Sequence, residues 1–183
     1  MPIYLGKDRV AAAGLGNLPV NNIIQTYLKI GDYFQGGKIF YFNADLKGGL
    51  IAGDVSSIDY IFGCGGTSIS TSTAIGTGQS NTNNILAGCA TRPIAASYAD
   101  GYSFDGYSDF YLPSRDECAK ILEAQISTGV NFGFISGYSI QTSSQESATL
   151  NTWVSYLSGG VTYTSANKSA SATKVIPIRS FSI

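Results

Sequence analysis

The clearest element in this chain follows Pro113. Ser114-Arg115-Asp116-Glu117 is a capping box: the Ser114 hydroxyl can take the amide of the third helical residue, and the Glu117 carboxylate can reach back to the Ser114 amide. Asp116 and Glu117 also suit the positive end of the helix dipole. Cys118, Ile121, Leu122 and Ile126 then fall at i, i+3, i+4 and i+8, which predicts one buried stripe. Gly129 ends the run, so a helix is expected from Arg115 to about Ser127.

Little else in the chain reads as long helix. Gly, Ser, Thr and Tyr dominate it, with 22 glycines and 12 tyrosines, a texture that suits short strands and tight turns. Gly36-Gly37-Lys38-Ile39-Phe40-Tyr41-Phe42 and Gly49-Leu50-Ile51-Ala52 predict a hairpin across the polar turn Asn43 to Gly49. Residues 63–84 predict a long polar loop, with a short helix from about Gly78 to Ala87 stopped by Gly88. Further strands are expected at about Ser139–Ser143, Thr152–Leu157, Thr162–Thr164 and Val175–Arg179, with Gly159-Gly160 as a hairpin turn. The expected fold class is α+β: a compact domain of short antiparallel strands over residues 31–183, one clear helix and one or two short ones.

Residues 1–30 read differently. They hold Ile3, Tyr4, Leu5, Val10, Ile23, Ile24, Tyr27 and Leu28, much apolar surface for a terminal arm. Leaving several such side chains in water invites aggregation, so these residues are the candidate attachment and oligomerisation set. The start of the chain lacks the charged region and apolar stretch of a signal peptide, and no run of about 18 apolar residues is present to span a membrane.

Several chemistries are excluded or weakened. The net charge is -1 with scattered Lys and Arg, so no nucleic-acid partner is expected. With no histidine, Ser–His–Asp and Cys–His catalysis are out. The three cysteines contain no Cys-x-x-Cys pair, which argues against zinc. Cys64 and Cys89, each preceded by glycine, leave two readings open: a disulfide, or small buried apolar residues. Among Asp100, Asp105, Asp109, Asp116 and Glu117, helix start and turns account for the carboxylates, so no catalytic residue is assigned. The Asp100–Asp109 loop could offer oxygen ligands to calcium but does not match an EF-hand spacing, and no cofactor or metal is assigned. Tyr102, Tyr107, Trp153 and Tyr156 are candidate glycan contacts if exposed, and core or subunit-interface residues if buried.

Gly36-Gly37-Lys38-Ile39-Phe40-Tyr41, Gly63-Cys64, the Thr73–Thr82 run, Gly88-Cys89, Asp105-Gly106-Tyr107-Ser108-Asp109-Phe110-Tyr111-Leu112-Pro113-Ser114 and Val175-Ile176-Pro177-Ile178-Arg179-Ser180-Phe181 come in one order. In that order they resemble the C-terminal domain of Legionella collagen-like adhesins, over roughly residues 33–183. The resemblance implies a C-type-lectin-like fold, a homotrimer, and a role in adhesion or decoration. Residues 1–32 are similar to short attachment segments of phage structural proteins such as head fibres of crAss-like phages. The expectation is therefore a virion fibre or decoration protein, fastened to a capsid or other virion carrier and facing a bacterial surface glycan. A bacterial surface adhesin is the runner-up and a carbohydrate-active enzyme the third reading.

Overall fold

The computed structural model of the protein describes residues 4–5, 8–9, 28–133, 138–147, 149–158 and 160–183. In chain order the elements are β1 (Tyr4–Leu5), β2 (Asp8–Arg9), β3 (Tyr33–Phe34), β4 (Gly37–Phe42), β5 (Gly48–Ala52), α1 (Gly78–Gly88), α2 (Ala95–Asp100), α3 (Arg115–Thr128), β6 (Ile140–Gln145), β7 (Asn151–Leu157), β8 (Val161–Asn167) and β9 (Ile178–Ser182). The class is α+β, with antiparallel strands throughout. One sheet has the order β3-β4-β5-β9, a second the order β6-β7-β8, and among the described residues β1 pairs with β2.

The expected capping box is present and does more than cap. Glu117 N donates to Ser114 Oγ at 3.2 Å, and Ser114 N donates to Glu117 Oε2 at 2.8 Å. Gly76 N donates to Glu117 Oε1 at 2.8 Å, so the same carboxylate pins the polar loop before α1 to the start of α3. Burial pushes the Glu117 carboxyl above its ordinary value, opposed by these amide bonds. Gly129 closes the helix in the left-handed region, φ 71°, where a side chain would be strained.

Two of the sequence expectations need correction at this level. Cys118, Ile121 and Leu122 are buried as expected, but Ile126 is 55% exposed. All of 126–129 is exposed, because the last turn of α3 overhangs the layer it packs on. The final strand runs Ile178–Ser182, not Val175–Arg179. Pro177 has no N–H to give a ladder, so strand pairing with β5 begins after it, at Ile178 opposite Ala52. Val175 and Ile176 are fully buried outside that ladder. Helix α2 and strand β3 carry no sequence signal that placed them.

Side-chain alternation in β4 and β5 fills both faces of the first sheet. Phe40, Leu50 and Ala52 meet Cys118, Ile121 and Leu122 of α3 in the main core, joined by Ile140 of the second sheet. Ile39 and Ile51 point the other way, onto Phe181. Leu28 and Ile30, counted with the arm from sequence, pack on that second face. Ile3, Val10, Ile23, Ile24 and Tyr27 lie outside the described residues. A further core joins α1 and α2 around Phe62, Ile85 and Cys89. Cys64 and Cys89 are disulfide-bonded, S–S 2.06 Å, and close the 63–89 segment onto this core. Cys118 is free and buried, its thiol pushed up to about 12 by burial.

Candidate functional site

The Asp105-Gly106 turn shapes the most promising cleft. Phe104 and Tyr107 exchange both backbone bonds, 2.9 and 3.0 Å, across Asp105 and Gly106. Both turn residues have positive φ, 52° and 82°, as a two-residue hairpin of this type requires. The tip is held from behind. The Arg179 guanidinium lies 4.2 Å from the Tyr107 ring centroid and binds Asp109 through Nε at 2.6 Å and Nη2 at 2.9 Å. Its Nη1 donates to Gln35 O at 3.0 Å. One arginine of β9 thus ties the 104–109 hairpin to the β3–β4 turn. The arginine beside Asp109 holds that carboxyl below its ordinary value.

Between these two turns opens a cleft of ≈ 360 Å³. Its walls come from Tyr33, Gly36, Gly37 and Lys38 on one side, Gly53, Asp54 and Val55 beyond β5, Tyr102 and Phe104 opposite, and Asn131–Gly133 after α3. Tyr33 and Phe104 stand at its mouth, 54% and 45% exposed, edge to face with ring centroids 6.3 Å apart. Side by side, the two rings keep a joined apolar area in water that a ligand with an apolar face could cover.

Polar groups converge below the rings. Asp54 N donates to Tyr102 Oη at 3.2 Å, and Asp54 itself is exposed. Lys38 Nζ donates to Asn131 O at 2.8 Å, and Gly133 N to Asn131 Oδ1 at 2.7 Å. Burial raises the Tyr33 and Tyr102 hydroxyls above their ordinary value, helped at Tyr33 by the Asp105 carboxylate and opposed at Tyr102 by the bond from the Asp54 amide. Both phenols therefore stay protonated and able to donate. Gly53 keeps the floor open: a Cβ there would stand 2.8 Å from the Tyr102 ring. Tyr102 is braced edge-on against Phe110 at 4.8 Å.

The four aromatic residues singled out from sequence separate into two places. Tyr102 lines the cleft. Tyr107 supports it, with Arg179 stacked on its ring. Trp153 and Tyr156 lie on β7 in the other sheet and do not line the cleft. Arg115 lies 5.6 Å from the Trp153 ring centroid and 5.3 Å from that of Tyr163, and pairs with Asp116 at 2.8 Å. Trp153 is half-buried, with the Arg115 guanidinium over its ring. Tyr156 is half-buried. Sequence reading missed Tyr33, Phe104, Asp54 and Lys38. The signal for Phe104 was there, since a residue beside an Asp-Gly hairpin turn projects at its tip.

The acidic residues are dispersed. Asp109 is bound by Arg179, Asp116 by Arg115, and Glu117 by backbone amides. Among the described residues no group of three or more His, Cys, Asp or Glu is placed to hold a metal, and no helix is long and apolar enough to cross a membrane.

Comparison with known proteins adds no name to this geometry. No family model matches the sequence, and no curated protein matches it either.

Proposed function

We propose that this chain is the recognition module of a virion head fibre or decoration protein. In this reading it is a homotrimer with a C-type-lectin-like domain, fastened to a capsid or other virion carrier, and it takes a bacterial surface saccharide in the Tyr33–Phe104 cleft. The observation that carries the binding role is the pair of exposed rings lining one cleft together with Asp54, Lys38 and Tyr102. A sugar ring offers an apolar face to aromatic side chains and a rim of hydroxyls to a carboxylate, an amine and a phenol. That division of apolar wall and few polar groups is what small-ligand sites use. The virion setting rests on the resemblance of the 33–183 region and of the segment before it.

The test is binding of the intact protein to a panel of bacterial surface polysaccharides, followed by saturation-transfer NMR. Tyr33→Ala and Phe104→Ala should each weaken binding about tenfold or more, the loss that about 1.4 kcal/mol of ring contact represents. Trp153→Ala should leave it unchanged. Failure of the intact protein to bind any saccharide, or equal binding by both cleft variants, overturns the saccharide role. Antibody labelling of purified particles tests the virion setting separately.

A further inference from the structure

Among the described residues, strand β8 leaves one edge of the second sheet unpaired. Its pairing with β7 fixes which backbone groups face outward. Lys168 N donates to Leu150 O at 2.9 Å and Ser158 N to Gly160 O at 3.1 Å, both in the register that sets Trp153 opposite Ser165. Bonded and non-bonded pairs alternate along an antiparallel ladder. Thr162, Thr164 and Ala166 therefore bond β7, while Val161, Tyr163 and Ser165 turn their N–H and C=O groups away from it. Among the described residues no backbone group is bonded to these from outside. The opposite edge of the same sheet differs: Ser143 N donates to Pro113 O and Gln141 N to Lys174 O, both at 2.8 Å, so loops cover β6.

Proteins guard open edges with charges, prolines, bulges or short strands. Strand β8 has none of these. Val161-Thr-Tyr-Thr-Ser-Ala-Asn167 is 7 residues long, uncharged and free of proline, and its register with β7 runs unbroken from Asn151–Asn167 to Leu157–Val161. Tyr163, Thr164 and Ser165 are exposed. Such an edge is a template for another strand.

We infer that this edge pairs with β8 of a second copy of the chain, antiparallel, about a two-fold axis at Tyr163. In that register Val161 faces Ser165 of the second copy, Thr162 faces Thr164, and Tyr163 faces its own equivalent. The outward groups are those of Val161, Tyr163 and Ser165, and this register uses all of them on both chains. The paired strands carry no charged residue of their own, and Thr–Thr and aromatic–aromatic neighbours across strands are favourable. An isologous contact of this kind closes on itself. That self-complementarity selects a second copy over an unrelated peptide strand. A three-fold axis cannot pass through a strand paired with itself, so the contact is additional to any trimer and would join trimers in pairs.

Light scattering on the intact protein, with hydrogen exchange followed at single amides, tests this. The expected mass is an even multiple of the protomer. Ser165→Pro removes an outward donor while leaving the β7 ladder whole, and should halve the mass with an unchanged circular dichroism spectrum. Thr164 and Ala166 amides should be protected at every concentration, Tyr163 and Ser165 amides only as concentration rises. A mass unaltered by Ser165→Pro, or Tyr163 and Ser165 amides exchanging freely at all concentrations, overturns the inference. Should Ser165→Pro disturb the domain itself, the exchange pattern of the unaltered protein decides alone.

Discussion

Glu117 shows how much one side chain carries. It is fully buried, yet both carboxylate oxygens accept backbone amides, from Ser114 on its own helix and Gly76 on the loop before α1. Glu117→Gln keeps the shape but turns an NH₂ group toward one of those N–H donors. A buried donor left without an acceptor costs about 1–3 kcal/mol, so that is the expected loss in urea unfolding at neutral pH. A loss under about 0.5 kcal/mol would mean that the loop is held by other bonds. Lys168 is a comparable case on the other side of that loop. It is fully buried, and its Nζ donates to Thr67 O at 2.7 Å and to Gln145 Oε1, with the Phe62 ring 5.3 Å away. Burial lowers its pKa. Carbonyl oxygens and a ring face thus take the place of a carboxylate.

At the scale of the element, α3 organises the domain, and its two ends differ. Its first turns sit on both sheets through Cys118, Ile121 and Leu122, while Ile126, Ser127 and Thr128 at its end are exposed. Leu122→Ala should cost about 2–5 kcal/mol, as removal of a buried Leu side chain does. Ile126→Ala, at a position periodicity alone put in the same buried stripe, should change stability by less than about 0.5 kcal/mol. Chemical denaturation of the two variants side by side checks the boundary of the helix's contact face. Near-equal effects would place the sheet under the whole helix. The polar loop before α1 owes its order to several side chains rather than to a ladder. Asn81 Nδ2 donates to Ser72 O at 2.7 Å and to Ser143 Oγ at 3.1 Å, and Ser144 Oγ donates to Ser72 O at 2.8 Å. These bonds anchor it to β6.

For the molecule as a whole, Arg179 is the main long-range tie at the cleft. It joins β9, the Gln35 turn and the 104–109 hairpin, and it depresses the Asp109 pKa. A carboxyl whose pKa is lower folded than unfolded stabilises the fold above its ordinary value. That contribution drains as pH falls through the folded pKa. The Asp109 side chain is 59% exposed, so solvent screening keeps the effect small. Asp109→Asn should therefore make the acid limb of stability shallower below the ordinary aspartate value of 3.8, and leave neutral-pH saccharide binding reduced only if the hairpin shifts. An acid limb identical to that of the unaltered protein would show that the pair contributes nothing to acid stability.

What the sequence determined by itself is local. The α3 cap depends on residues within one turn, the Asp105-Gly106 hairpin on two backbone conformations, and the β4–β5 hairpin on apolar runs flanking a polar turn, so each was legible in order along the chain. The disulfide was only half legible, because pairing Cys64 with Cys89 depends on how a 25-residue separation folds back. Of the cleft, only Tyr102 was legible as a candidate contact. The Tyr33–Lys38 pair, Asp54, Phe104 and Asn131 come from separate stretches of the chain and meet because the first sheet, the 104–107 hairpin and the loop after α3 share one corner. The same holds for the aromatic residues: spacing marks Tyr102 and Trp153 alike, and only packing sends one into a cleft and the other under Arg115. Local hydrogen bonding is written in neighbouring residues. Exposure is set by what the rest of the chain places on top of them.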